Sequence, residues 1–329
     1  MILTACHSVT VSAAARLHMG FLDLNGGLGR RYGSLGLALE ELATTVTVRV
    51  DDTVAAEGPQ SERAAAYARA ALRALDIPSG VRVSIRQAVP EHAGLGSGTQ
   101  LALAVGAAIA RLFSLAWTPR EIAGTLGRGG RSGIGLGVFE HGGFVVDGGR
   151  GRQDAPPLPI ARLPFPAHWR LVLIFDPHHV GLHGEAEKQA FAALPAFPEA
   201  HAAHLCRLAL MQALPALTEA DIAGFGAAVS EIQRTVGDHF APAQGGRFAS
   251  PRVARALDWL DANGAAGTGQ SSWGPTGFAL VDSDERAHAL ARRARIDLAD
   301  AGLEFSVCRG RNQAADFRTE TAAARLAAV

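Results

Sequence analysis

Three glycine-rich stretches carry the residue types that bind phosphate. The first reads Pro90-Glu91-His92-Ala93-Gly94-Leu95-Gly96-Ser97-Gly98-Thr99. The second, residues 129–137, reads Gly-Gly-Arg-Ser-Gly-Ile-Gly-Leu-Gly, and the third, residues 267–277, reads Gly-Thr-Gly-Gln-Ser-Ser-Trp-Gly-Pro-Thr-Gly. Such loops expose backbone N–H groups, which bind anions in a concave turn or at a helix N-terminus. The chain therefore reads as a holder of a phosphorylated small molecule. Its single lysine, Lys188, lies in none of the three, so a Gly-Lys-Ser/Thr phosphate loop is absent.

The surrounding pattern supplies elements to position these loops. Residues 44–50 alternate as a half-buried strand, and residues 81–85 alternate again and run straight into the first loop. Residues 99–113 carry no charge before Arg111 and read as a buried helix. Strand, glycine loop and buried helix place the loop amides at the positive end of a helix dipole. Residues 61–75 read as an amphipathic helix with Ser61 as its cap. Thr118-Pro119-Arg120-Glu121 is a capping box with Pro at the first helical position. Residues 151–168 hold five prolines and little periodicity, and a domain boundary is expected there, dividing the chain into 1–165 and 166–329. Beyond it a buried strand is expected at 171–175. Helices are expected near 184–194, 199–213, 218–235 and 251–263. The closing strand–helix–strand series at 276–281, 284–299 and 303–309 suggests a split β-α-β domain.

Composition narrows the function classes. The 329 residues (34.2 kDa) are 48% hydrophobic, enough for two cores, and the formal net charge is zero. No electrostatic case for nucleic acid or an acidic membrane follows. Cys6, Cys206 and Cys308 are scattered, with neither a CxxC nor a zinc spacing, and a reduced cytoplasmic setting is expected. The first six residues lack the basic region and apolar core of a signal peptide.

The motif Pro90-x3-Gly94-Leu95-Gly96-Ser97-Gly98 resembles the phosphate loop of the GHMP kinase superfamily. Four further segments narrow the resemblance. They are Arg16-Leu-His-Met-Gly-Phe-Leu-Asp-Leu24, residues 132–149, Gly181-Leu-His-Gly-Glu-Ala-Glu-Lys188 and Gly269-Gln-Ser-Ser-Trp-Gly-Pro-Thr276. Together they resemble the β-ribofuranosylaminobenzene 5′-phosphate synthase family, over about residues 10–310. The resemblance implies an α+β GHMP-kinase-like fold of two domains. The N-terminal domain would be a ribosomal-protein-S5-like β/α domain and the C-terminal one a ferredoxin-like split β-α-β domain. It implies decarboxylating transfer of phosphoribose from phosphoribosyl pyrophosphate to 4-aminobenzoate or 4-hydroxybenzoate, on the route to tetrahydromethanopterin. It also implies Mg2+ bridging the substrate, no ATP, a homodimer, and no nucleic-acid or membrane partner.

That chemistry assigns candidate roles. The diphosphate would lie on Gly94, Leu95, Gly96, Ser97, Gly98 and Thr99. The 5′-phosphate would lie on Arg131, Ser132 and Gly133, or on Gln270, Ser271 and Ser272. Arg16, His18, Asp23 and His141 are the catalytic candidates, and Asp147 and Glu140 the metal ligands. Trp273 and His183 are the candidates for the aromatic substrate. Superfamily kinases carry an Asp in a Ser-Gly-Ile-Asp-like turn, and here Ser132-Gly133-Ile134-Gly135 puts glycine at that place. Two alternatives remain: an ATP-dependent small-molecule kinase, and a phosphosugar-binding sensor on the same scaffold. Asp147 also reads as a hairpin cap, and Glu140-His141 as a solvated turn. The Asp176-Pro177-His178-His179 cluster with His183 reads as a substrate contact or loop before it reads as a transition-metal site.

Overall fold

The computed structural model describes residues 6–152, 155–181 and 184–321. Two long strands, β1 (Cys6–Asp23) and β2 (Tyr32–Asp51), form an antiparallel hairpin through the turn at 24–31. Register shifts between Ala14 and Arg16 and between His18 and Gly20 bend β1. Val9, Val11 and Ala13 pack in one core, whereas Leu17, Met19 and Phe21 pack in another. Alternation then gives Arg16 a different face from Leu17.

The short β3 (Ala55–Glu57) leads into α1 (Ser61–Ala74), whose cap is Gln60 in a left-handed conformation rather than Ser61. β4 (Gly80–Gln87) pairs with the second half of β2 and runs into the first glycine loop and α2 (Ser97–Leu112). α2 packs on β1 and β2 with an almost wholly buried apolar surface, so its N-terminus is held rigidly. α3 (Pro119–Thr125) starts at the expected capping box: Glu121 N donates to Thr118 Oγ1 at 3.3 Å, and Thr118 N to Glu121 Oε2 at 2.8 Å.

The second glycine stretch is only partly a loop, because α4 (Ile134–His141) begins within it. β5 (Phe144–Asp147) pairs with the first half of β2, and β6 (Pro159–Leu163) pairs with β5. The proline-rich stretch thus contributes a strand to the first sheet.

β7 (Arg170–Phe175) opens the second sheet. α5 (Gly184–Ala193) and α6 (Glu199–Leu208) follow; a π-helical turn at 209–213 then joins α6 to α7 (Leu214–Thr218). The helix expected from 218 starts later, as α8 (Ile222–Gln244), because Asp221 caps it by accepting from Gly224 N at 3.1 Å. After α9 (Pro251–Ala262) come β8 (Gly267–Gln270), β9 (Gly277–Val281), α10 (Asp284–Asp297) and β10 (Glu304–Cys308). The third glycine stretch is therefore two strands joined by the turn 271–276. The antiparallel order β10-β7-β9-β8 is the ferredoxin-like arrangement.

The last strand, β11 (Asp316–Thr321), pairs antiparallel with β1. A division at residue 165 therefore does not separate the sheets, since the second segment returns to complete the first. One apolar cluster joins Leu17 and Leu35 of the hairpin to Leu173, Phe225, Ile232 and Trp273 of the second half. The two sheets thus share a core, and the glycine stretches meet above it.

Candidate functional site

Gly96 caps α2 in a left-handed conformation (φ 78°), and no side chain caps that end. The first amides of the helix, Ser97 and Gly98, have no intrahelical acceptor. They border a cavity of about 190 Å³ lined also by Gly94, Thr99, Arg16, Arg63 and Arg128. A Cβ on Gly98 would overlap Arg63 Nη2 and lie 3.2 Å from Arg128 Nη1. A Cβ on Gly96 would lie 2.7 Å from Arg16 Cγ. Three arginine side chains therefore lie directly over the glycines.

Thr99 also lines two adjoining cavities. One, again about 190 Å³, is bounded by Arg16, His18, Phe21, Arg131, Gly135 and Ser272. The other, about 640 Å³, is bounded by Arg31, Tyr32, Arg128, Arg131, Arg150 and Phe191. The cleft formed by the three is lined by six arginines on segments widely separated in the chain. Arg63, Arg128, Arg31 and Arg150 were not singled out by sequence reasoning. A signal existed for one of them: Arg128 and Arg131 bracket Gly129-Gly130.

β1 and two glycine stretches are stitched together at the floor. Arg16 Nη1 donates to Gly94 O at 2.6 Å, and Arg16 N to Leu95 O at 3.1 Å. Ser271 Oγ accepts from His18 N at 3.0 Å and donates to Gly94 O at 2.8 Å. Gln270 is committed internally, accepting from Ala249 N at 2.7 Å and donating to Ser272 O at 3.0 Å. It holds Ser272 in a left-handed conformation (φ 57°) facing the cleft. Of the three residues proposed there for phosphate, Ser272 alone lines the arginine cavities.

His18 is buried, and its Nδ1 accepts from Gly20 N at 3.3 Å. Nε2 then carries the proton of the neutral ring, and it has no partner among the described residues. Burial, followed by the charges of Arg16 and Arg131, holds the imidazole pKa well below 6.5. His18 is thus a neutral N–H donor at the cleft floor.

An aromatic wall stands beside it. Phe21 lies 4.6 Å from His18 by ring centroids, Phe191 lies 4.9 Å from Trp273, and Phe240 lies 4.5 Å from Trp273. Arg131 sits over Phe191 at 4.4 Å. Trp273 thus belongs to a cluster with Phe21, Phe191 and Phe240 that sequence spacing did not reveal. His183 lies outside the described residues.

The expected acids are placed differently. Asp147 is 1% exposed and accepts from Gly133 N at 2.9 Å, Gly149 N at 2.8 Å, Ser132 Oγ at 3.2 Å and Ser34 Oγ. Burial pushes its carboxyl upward, and these bonds oppose that. Asp147 therefore ties the 132–133 turn to β5 and spends Ser132 and Gly133 on itself rather than on phosphate. Glu140 and His141 lie at the far end of α4, roughly 12 Å along the axis from Gly133. Asp23 closes the hairpin turn, its Oδ1 accepting from Asn25 N and Gly26 N, each at 2.8 Å. Among the described residues no three His, Cys, Asp or Glu side chains converge as metal ligands. Asp176 is bound to Ser250 Oγ at 2.6 Å and paired with Arg252 at 3.3 Å. Among the described residues the cleft is lined by guanidiniums, amide N–H groups, hydroxyls and the His18 ring, a donor set that does not fit a carboxylate-held divalent ion.

Gly135 lines the middle cavity, and a Cβ there would meet Thr99 Cγ2 at 2.8 Å. The Thr99 side chain crowds the place where the kinase carboxylate would be attached.

Comparison with known proteins agrees with this frame. Family models described as GHMP kinases N terminal domain and GHMP kinases C terminal match residues 62–143 and 213–300. The β-ribofuranosylphenol 5′-phosphate synthase of Archaeoglobus fulgidus is 36% identical over 317 residues, 92% of this chain and 97% of that one. Its namesake from Methanothermobacter thermautotrophicus is 33% identical over 294 residues, 83% and 88% of the two chains. Among solved structures, homoserine kinase from Cytophaga hutchinsonii superposes with a TM-score of 0.69 at 19% identity, covering 97% of this chain and 99% of its own, a likeness of fold.

Proposed function

The chain belongs to the β-ribofuranosylphenol 5′-phosphate synthase family, and we propose that its cleft joins phosphoribosyl pyrophosphate to a para-substituted benzoate with loss of CO2. The product is an aryl C-riboside 5′-phosphate, with diphosphate as the leaving group, as a step toward tetrahydromethanopterin. The acceptor is 4-hydroxybenzoate, in keeping with the phenol of the relatives' name, or 4-aminobenzoate.

One observation carries the reading: Thr99 lines both the α2 cavity with Arg63 and Arg128 and the larger cavity with Arg31 and Arg150. A donor with two charged ends needs two cationic pockets meeting at its sugar. The diphosphate takes the α2 end, where amides, the helix dipole and three guanidiniums favour negative charge. The 5′-phosphate takes the wider pocket, where Arg131 is braced on Phe191. The ribose spans the two over Thr99.

The reaction balances without a side-chain nucleophile. The C1–O bond breaks and its electron pair leaves with the diphosphate. The ring carbon bearing the carboxylate forms the new bond to C1. The bond to CO2 then breaks, and its electrons restore the aromatic ring. The chain's own groups orient and exclude water. Phe21 and Phe191, which line the two cavities beside Arg131, offer faces and edges to the arene, and Trp273 packs behind Phe191. His18, held neutral, donates a hydrogen bond from Nε2 and takes up no proton. Donors already in place when charge develops on the diphosphate need no reorganisation.

Incubation with phosphoribosyl pyrophosphate and carboxyl-labelled 4-hydroxybenzoate tests the reading. Labelled CO2 and diphosphate should appear in equal amounts without ATP. Consumption of ATP with no CO2 release would replace this reading by the kinase.

A further inference from the structure

Sites that bind a diphosphate usually share its charge with a Mg2+ ion held by one or two carboxylates. Among the described residues, the pocket at the start of α2 presents no such ligand. Glu91 is ion-paired with Arg63, and Asp147 is saturated by its own four donors. In their place the guanidiniums of Arg63 and Arg128 lie against the Cα of Gly98, within reach of whatever that helix end binds. Arg128 stacks at 5.3 Å on the Tyr67 ring and donates from Nη2 to the Tyr67 hydroxyl, while its buried Nε has no partner among the described residues. Trp273, 2% exposed, lines the same pocket, and its Nε1 has no partner among the described residues.

We propose that Arg63 and Arg128 take over the charge of the departing diphosphate, and that the protein binds diphosphate without a divalent ion. The proposal rests on the reading of the cleft given above. As the C1–O bond breaks, the electron pair passes to the bridging oxygen and the added charge falls on the diphosphate. Planar guanidiniums meet it through paired N–H bonds. Tyr67 is the positioning residue for Arg128, and Glu91 for Arg63. Any Mg2+ in the reaction then arrives on the donor and is not held by a side chain.

Calorimetric titration of inorganic pyrophosphate into the full chain tests this, once with excess EDTA and once with Mg2+. Binding in EDTA is expected, with an affinity within about tenfold of that in Mg2+. Arg128→Gln and Arg63→Gln should each weaken binding in EDTA about ten- to a hundredfold, the loss of charge-assisted hydrogen bonds. Tyr67→Phe keeps the ring and removes only the hydroxyl. It should give a smaller loss with the thermal melt unchanged, which keeps the test alive if a glutamine variant does not fold. Binding that requires Mg2+, or glutamine variants that bind as wild type does, would overturn the proposal and leave the cleft reading standing. No binding under either condition would overturn both.

Discussion

Gly135 faces Thr99 so closely that a Cβ on the glycine would sit 2.8 Å from the threonine methyl. The superfamily resemblance expects a catalytic carboxylate at that turn, and this chain has closed the space instead. Gly135→Asp should therefore create no kinase. It should lower stability by about 1–3 kcal/mol through overpacking. A urea melt checks the loss of stability, and ADP release with a panel of alcohols checks the absence of kinase activity. Turnover of ATP by this variant would show that the carboxylate alone was missing.

Gly96 supports a sharper test of the α2 cradle. Its φ of 78° disfavours any side chain, and a Cβ would press on Arg16. Gly96→Val should lose at least about a hundredfold in kcat/KM, about 3 kcal/mol of transition-state binding. Circular dichroism should still report the fold. A folded variant with normal turnover would remove the loop from the site.

The sequence made this loop legible because strand, glycines and apolar run are contiguous there. It could not show the cation cluster, since Arg63, Arg128 and Arg150 come together only when α1, the 127–131 turn and the end of β5 converge. Asp147 misled for the same reason: its Asp-Gly-Gly context suits a ligand or a turn, and Ser34, the partner that helps decide, is 113 residues away. The helix hidden in residues 134–141 has glycine at two positions, which masked its period. Glu140 and His141 then fell at the wrong end of it.

Ser271 binds His18 N and Gly94 O with one hydroxyl. Ser271→Ala should cost about 1–3 kcal/mol, because the buried His18 amide loses its acceptor while Gly94 O keeps only its bond from Arg16. It should also raise KM for the sugar donor more than it lowers kcat, since the cradle's floor is loosened. Denaturant unfolding and initial-rate kinetics separate the two effects.

His18 carries a pH signature. Its pKa is lowered on folding, chiefly by burial, so the unfolded chain takes up a proton on His18 that the native chain refuses. Stability attributable to His18 is complete above about pH 6.5 and falls as the pH drops toward the folded value. His18→Asn removes that dependence. Between pH 7 and 5 its melting temperature should fall less than that of wild type. Parallel curves for the two would show that His18 is not buried neutral.

Phe191 braces Arg131 and stands edge-on to Phe21 at 6.3 Å. Phe191→Leu should raise KM for the benzoate and for the sugar donor, each by about three- to tenfold, since an aromatic contact is lost on both sides. An effect confined to the donor would place the arene elsewhere.

The central claim is that the two ends of a single donor occupy two arginine pockets meeting at Thr99. Crystals soaked with phosphoribosyl pyrophosphate test it most directly. Diphosphate density is expected at the amides of Ser97 and Gly98 under Arg63 and Arg128, and 5′-phosphate density beside Arg131. Density with the two ends exchanged, or lying outside both pockets, would contradict it.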